Sequence, residues 1–148
     1  MYYEKMTERE LDRVVSGYID YYNGAEGGCW TRDKAYKRIH QVMTTEDSLC
    51  LVQYDDAGGM TGFAMGYYKV YDDLLGYFLE EIVIFREYQN QGYGSALLAK
   101  IEETVRENNA ELIELLSVND EHHAHFYQKA GFYTAKNLIV MGKHRMPS

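Results

Sequence analysis

Apolar positions recur along this chain with two periods, and the switches between them divide it into elements. Met1–Met6 reads as a short edge strand. Leu11, Val14, Val15, Tyr18 and Tyr22 then fall at three- and four-residue spacing, which puts them on one face of a helix. Thr7-Glu8-Arg9-Glu10 is a capping box for its start: Thr7 accepts from an early helical N–H and Glu10 reaches back. The helix is expected to run to about Asn23, where Gly24-Ala25-Glu26-Gly27-Gly28 breaks it. Thr31 is the N-cap expected for a second helix to about Met43, with Ala35, Ile39 and Val42 inward.

Strand signals follow. Ser48–Tyr54 is a short apolar run, Asp55–Gly59 a turn and Met60–Tyr71 the return strand of a hairpin. Asp72 and Asp73 separate it from a strand at Phe78–Phe85. A helix from Gly94 to Asn108 has Leu97, Leu98, Ile101 and Val105 as its buried stripe. Leu112–Val118 is the next strand, Glu121–Ala130 a short helix ended by Gly131, and Phe132–Lys143 one or two closing strands. The predicted order is β-α-α-β-β-β-α-β-α-β-β, an α/β (α+β) mixed sheet with a parallel strand–helix–strand crossover at its centre. Without a linker or repeat, residues 1–148 are expected to form a single domain.

Composition narrows the function classes. Apolar residues are 46% and charged residues 26%, the profile of a soluble globular protein. No stretch approaches the ~20 apolar residues of a membrane span, and Met1–Lys5 lacks the start of a signal peptide, so a cytoplasmic protein with no membrane partner is expected. The net charge of −8 argues against a nucleic-acid partner and leaves room for a cationic one. Cys29 and Cys50 stand apart and are expected as free thiols. His122 and His125 share a helix face beside His123, but no further ligand cluster accompanies them, so no metal is expected. A base or proton relay is the other chemical use of one of these histidines.

The stretch Gln89-Asn90-Gln91-Gly92-Tyr93-Gly94-Ser95 lies between a strand and a helix start. Backbone N–H groups in such a turn lack intrahelical partners, and glycine lets an anion approach the backbone closely. Taken alone, the stretch fits any phosphate.

The longer stretch Leu79–Leu98, with Gln89-Asn90-Gln91-Gly92-Tyr93-Gly94, resembles the acetyl-CoA-binding motif of the GNAT superfamily of N-acetyltransferases: a strand, then Gln/Arg-x-x-Gly-x-Gly/Ala, then a helix. Phe126-Tyr127-Gln128-Lys129-Ala130-Gly131-Phe132 resembles the family's Phe-Tyr-x-x-x-Gly-Phe signature. The resemblance implies acetyl-CoA or CoA as cofactor. It places the pyrophosphate on the backbone of Gln91, Gly92, Tyr93, Gly94 and Ser95, with Gln89 and Asn90 beside them. It pairs the pantetheine arm with the backbone of Ile82, Val83 and Ile84. The family has Asn seven residues before the Tyr; this chain has Asp120 there, and the adjacent Asn119 is carried over instead.

Acetyl transfer to an amine needs a proton taken from the ammonium and one given to the departing thiolate, whose pKa as a simple thiol is ~8.5. The resemblance assigns the second task to Tyr127, which also joins the cofactor contacts. The base is Glu81 or Glu80, acting directly or through water; alternation sends them to opposite faces, but the family strand often carries a bulge here, so parity does not choose, and Glu81 is preferred on the Glu81-Ile82-Val83-Ile84 pattern. The acceptor wall falls on Tyr22, Trp30, Tyr68 and Tyr77, an aromatic region with acidic neighbours. It suits a small cationic amine or a peptide amine. A homodimer is compatible with this reading. A CoA-binding module without turnover, serving regulation or protein contact, is the alternative.

Overall fold

The structure, a computed structural model, describes residues 1–145. Helix α1 (Glu8–Ala25) starts where the capping box predicts: the Thr7 hydroxyl accepts from the Arg9 N–H, and the Glu10 carboxylate accepts from the Thr7 N–H at 3.1 Å. Helix α2 (Arg32–Met43) starts at Thr31, whose hydroxyl accepts from Lys34 N–H. The buried faces are Leu11, Val14, Val15 and Tyr18 of α1, and Ala35, Ile39 and Val42 of α2. They pack on Cys50, Val52, Phe63, Met65, Val83 and Phe85 of the sheet. Each fully buried Val, Leu, Ile or Phe there contributes about 1.5–3 kcal/mol. Gly17 lets α1 lie this close, because a Cβ there would stand 2.3 Å from the Phe85 ring.

Strands β1 (Tyr2–Lys5), β2 (Ser48–Tyr54), β3 (Met60–Val70), β4 (Leu75–Ile84) and β5 (Leu112–Leu115) form one sheet in the order β1-β2-β3-β4-β5. The first four pair antiparallel, and β5 joins β4 in parallel through helix α3 (Tyr93–Glu107). The mixed sheet and its crossover match the predicted fold class. The hairpin turn is tied by Asp55, whose Oδ1 accepts from the N–H groups of Ala57 and Gly59.

One irregularity positions the site. On β4, Glu81 stands opposite Met65 and Leu79 opposite Gly66, so Glu80 is an extra, bulged residue. The bulge resets side-chain alternation. Glu81, Val83 and Phe85 face α1 and α2, while Tyr77 and Leu79 before the bulge face the opposite side, toward α3. β5 follows β4 only over Gly76–Leu79. Beyond the bulge, among the described residues, no strand pairs with β4 on the side away from β3.

By compactness the chain separates into two units, one of residues 1–117 and a second beginning at Val118. The second contains helix α4 (Glu121–Gln128). Asp120 caps its start by accepting from the His123 N–H at 2.7 Å. Gly131, at φ +93°, stops it: Gly131 N–H donates to Gln128 O and Phe132 N–H to Tyr127 O. The closing strands expected over Phe132–Lys143 are not formed. Leu138, Ile139, Val140 and Met141 are exposed. A strand exists only through its ladder, and this apolar run has no partner among the described residues.

Candidate functional site

The glycine turn is built by backbone. Asn90 (φ +62°) and Gly92 (φ +86°) both take left-handed conformations and swing the chain into α3. Gly92 is the N-cap and offers no side chain to bond the first turn. The first intrahelical bond runs from Ala96 N–H to Gly92 O at 3.1 Å, so the N–H groups of Tyr93, Gly94 and Ser95 have no intrahelical acceptor. A Cβ on Gly92 would meet no atom within 4 Å. The glycine is therefore required by its backbone angle, and the space before it is open to an anion.

Side chains brace this turn from behind. Gln89 Nε2 donates to Ile84 O at 3.1 Å, and Gln91 Nε2 to Glu87 O at 3.2 Å. Gln53, fully buried on β2, donates to Tyr93 O at 3.0 Å while its Oε1 accepts from Thr61 at 2.6 Å. Gln53 was not anticipated from sequence, although a glutamine inside an apolar strand is itself a signal of a buried polar anchor.

The Ile82–Ile84 stretch leads into this turn. Phe85 N–H donates to Thr61 O on β3 at 2.9 Å. Antiparallel alternation then turns the N–H groups of Ile82 and Ile84 away from β3, toward the side without a strand. An extended chain can add there by main-chain hydrogen bonds.

On the α1–α2 side of the bulge, two carboxylates meet one guanidinium. Glu81 Oε1 accepts from Tyr22 Oη at 2.5 Å, and Oε2 from Tyr18 Oη at 2.9 Å and Arg38 Nε at 3.1 Å. Arg38 Nη2 donates to Glu80 Oε2 at 3.0 Å. Burial works against the charge of Arg38, but the Glu80 hydrogen bond and the charges of both glutamates outweigh it and raise its pKa. Burial, then the Glu81 charge, raises the phenols of Tyr18 and Tyr22, so both stay protonated donors. Arg38 went unrecognised in the sequence. Its signal was its position: it follows Ala35 by three residues and precedes Val42 by four, on the helix's inward face.

The expected acceptor wall divides. Tyr22 touches Glu81, and Trp30 packs edge-on against Tyr18 at 5.1 Å. Tyr68 and Tyr77 are not with them, a correction to the sequence expectation. Tyr77 is fully buried and donates to Leu49 O at 2.8 Å, and the Tyr68 hydroxyl accepts from Asn108, just beyond α3. Tyr68 alternates to the α3 face on β3, and the bulge brings its partner Tyr77 to the same face of β4.

In the second unit, the Tyr127 ring lies between Phe126 and Phe132, at 5.0 and 5.6 Å, and burial raises its phenol pKa. Asn119 is exposed. Asp120 is held below the ordinary carboxyl range by the His123 N–H and then by the His123 ring, 2.8 Å away. Among the described residues no group of three or more His, Cys, Asp or Glu side chains is arranged to hold a metal, and Cys29 and Cys50 are free. No helix among them is long and apolar enough to cross a membrane. A groove of about 640 Å³ on α1 contains Asp12, Ser16, Asp20 and Arg32, but none of the expected site residues.

Comparison with known proteins places these features in a family. Residues 11–132 match the model of the acetyltransferase (GNAT) family. A curated relative, the uncharacterised protein YxbD of Bacillus subtilis (strain 168), is 41% identical over 78 residues, 45% of this chain and 49% of that protein. The match thus spans about half the length of that relative. A solved structure of a probable acetyltransferase superposes with a TM-score of 0.81 at 18% identity, over 100% of both chains. A possible acetyltransferase from Clostridium difficile 630 gives 0.79 at 17% identity, over 99% of this chain and 98% of that one. The ribosomal-protein-alanine N-acetyltransferase of Brucella melitensis biovar Abortus 2308 gives 0.76 at 13% identity, over 97% and 100%. At these identities the structures show the shared fold, and the family-model match covers most of the sequence: the chain belongs to the GNAT family of acetyltransferases.

Proposed function

We propose that this protein is an acetyl-CoA-dependent N-acetyltransferase that acts by direct transfer, in a ternary complex, on an amine of a small cationic acceptor. One observation carries the proposal: the uncapped start of α3, opened by Gly92 at φ +86°, adjoins the Ile82–Ile84 edge, which among the described residues has no strand beside it. A phosphate-bearing group with an extended arm fits that pair of features, and a Cβ at Gly92 would enter the open space that a phosphate needs.

The N–H groups of Gln91, Gly92, Tyr93, Gly94 and Ser95 would hold the pyrophosphate, with Asn90 and Asn119 beside it. Ile82 and Ile84 would orient the arm and offer N–H groups to the thioester oxygen. Bound acetyl-CoA supplies an activated acetyl thioester. A strand glutamate takes a proton from the acceptor ammonium, and Tyr127 Oη donates one to the leaving sulfur. The role of Tyr127 rests on the Phe126–Phe132 motif. Its raised phenol pKa keeps it protonated at neutral pH, as a donor must be. Tyr127→Phe is expected to lower kcat by about 100-fold with little change in acetyl-CoA affinity, read by steady-state kinetics and titration.

A cationic acceptor follows from charge: two carboxylates face one guanidinium beside β4, on a chain of net charge −8. Polyamines, aminoglycosides, amino-acid amines and peptide N-termini carry the required ammonium. A peptide amine gains some support from the Brucella neighbour, a ribosomal-protein-alanine N-acetyltransferase. Thiol release from acetyl-CoA, measured across a panel of amines, tests the proposal. Turnover with cationic amines is expected. Turnover with only neutral or anionic acceptors would contradict the acceptor class, and tight CoA binding with no thiol release would favour a binding module.

A further inference from the structure

The bulge at Glu80 makes two neighbouring glutamates unequal. Strict alternation would send their side chains to opposite faces, but the extra residue lets both reach Arg38 of α2. Glu81 is held by three donors. Its Oε1 accepts from Tyr22, its Oε2 from Tyr18 and Arg38, and its side chain is 11% exposed. Three of its roughly four lone-pair sites are thus taken. Glu80 meets Arg38 through Oε2 alone and is 25% exposed. Among the described residues its Oε1 accepts no hydrogen bond.

We propose that Arg38 is a positioning residue: with Tyr18 and Tyr22 it fixes Glu81 as an anchor, and it presents Glu80 as the base that deprotonates the acceptor ammonium. The inference rests on the acetyl-transfer proposal above. In the step, an N–H bond of the ammonium breaks and its proton passes to Glu80 Oε1. The nitrogen keeps the electron pair and forms a bond to the acetyl carbon, whose C–S bond breaks, the sulfur leaving with its electron pair to be protonated as the free thiol. The charged and titratable groups around Glu80 are Tyr18 and Tyr22 from α1, Arg38 from α2 and Glu81 on its own strand; β3 presents Met65 and Gly66 opposite, neither of which titrates. Two carboxylates against one guanidinium leave one negative charge in excess beside the less buried Glu80, where a cationic acceptor would dock.

The division of labour predicts opposite outcomes for two conservative substitutions. Glu80→Gln should lower kcat by about 100-fold and abolish the acid limb of the kcat/KM–pH profile. Glu81→Gln should keep that limb and lose less than about 10-fold in kcat. Added formate should restore part of the activity of Glu80→Ala, because a small carboxylate can occupy the vacated place, and none of that of Glu81→Ala. Without the guanidinium Glu80 loses its hydrogen-bonded partner, so Arg38→Met should lower kcat by about 10-fold with acetyl-CoA KM unchanged. Arg38→Lys, which keeps the charge but loses the two-pronged geometry, should fall between.

Near-ultraviolet circular dichroism checks that each variant is folded; if Arg38→Met is not, Arg38→Lys decides by the same readout. Full activity in Glu80→Gln, or an equal loss in both glutamine variants, would overturn the base assignment. Wild-type kcat in a folded Arg38→Met variant, or an equal change in acetyl-CoA KM, would overturn the positioning role. If wild-type protein releases no thiol with any amine, the acetyl-transfer proposal itself falls and this inference with it, an outcome distinct from the other two.

Discussion

The two halves of the proposed site are made in different ways. The turn from Gln89 to Ser95 is a backbone device: its working groups are N–H groups, presented by two left-handed residues and an uncapped helix start. The cluster at Glu80 and Glu81 is a side-chain device, assembled from α1, α2 and β4 across sequence separations of 42 to 63 residues. The first depends on local conformation that few residues can adopt. The second depends on where folding brings distant residues, and on one extra residue in a strand. The halves should therefore fail differently when altered.

The largest difference is expected at Gly92. Gly92→Val puts a β-branched side chain at φ +86° and into open space in front of the helix, so acetyl-CoA affinity should fall by at least about 100-fold. Gly92→Asn separates the two causes, because asparagine tolerates left-handed angles while still carrying a Cβ. Loss of affinity in both variants would locate the effect in blocked anion access, and loss in valine alone would locate it in backbone strain. A milder change from behind is expected at Gln53. Gln53→Leu strips Tyr93 O and the Thr61 hydroxyl of a partner, costing about 1–3 kcal/mol of stability in denaturant melts. It should weaken acetyl-CoA binding only a few-fold, since the N–H groups remain. Unchanged stability would remove Gln53 as the brace of the turn.

What was legible in the sequence follows the same division. Both helix caps, the buried stripes, the hairpin and the crossover are local patterns, and they stand where the spacing of Thr7, Thr31, Asp55 and Leu97–Val105 put them. The glycine turn was legible for the same reason. A bulge in this strand was expected from the resemblance alone; its position at Glu80 was not legible, because it is set by pairing with Met65 and Gly66 rather than by anything in Glu80 itself. Arg38 and Gln53 were overlooked because a polar residue on an apolar face announces a partner without naming it. The run Leu138–Met141 has strand composition, but a strand is a relation between two segments, and composition speaks for only one.

The central claim is that cofactor grip and proton removal reside in separable halves, one of backbone and one of side chains. Calorimetric titration of acetyl-CoA into wild type, Gly92→Val and Glu80→Gln, side by side, tests it most directly. Wild-type affinity in Glu80→Gln with no measurable binding in Gly92→Val is the predicted result. Retained binding in Gly92→Val, or its loss in Glu80→Gln, would contradict it.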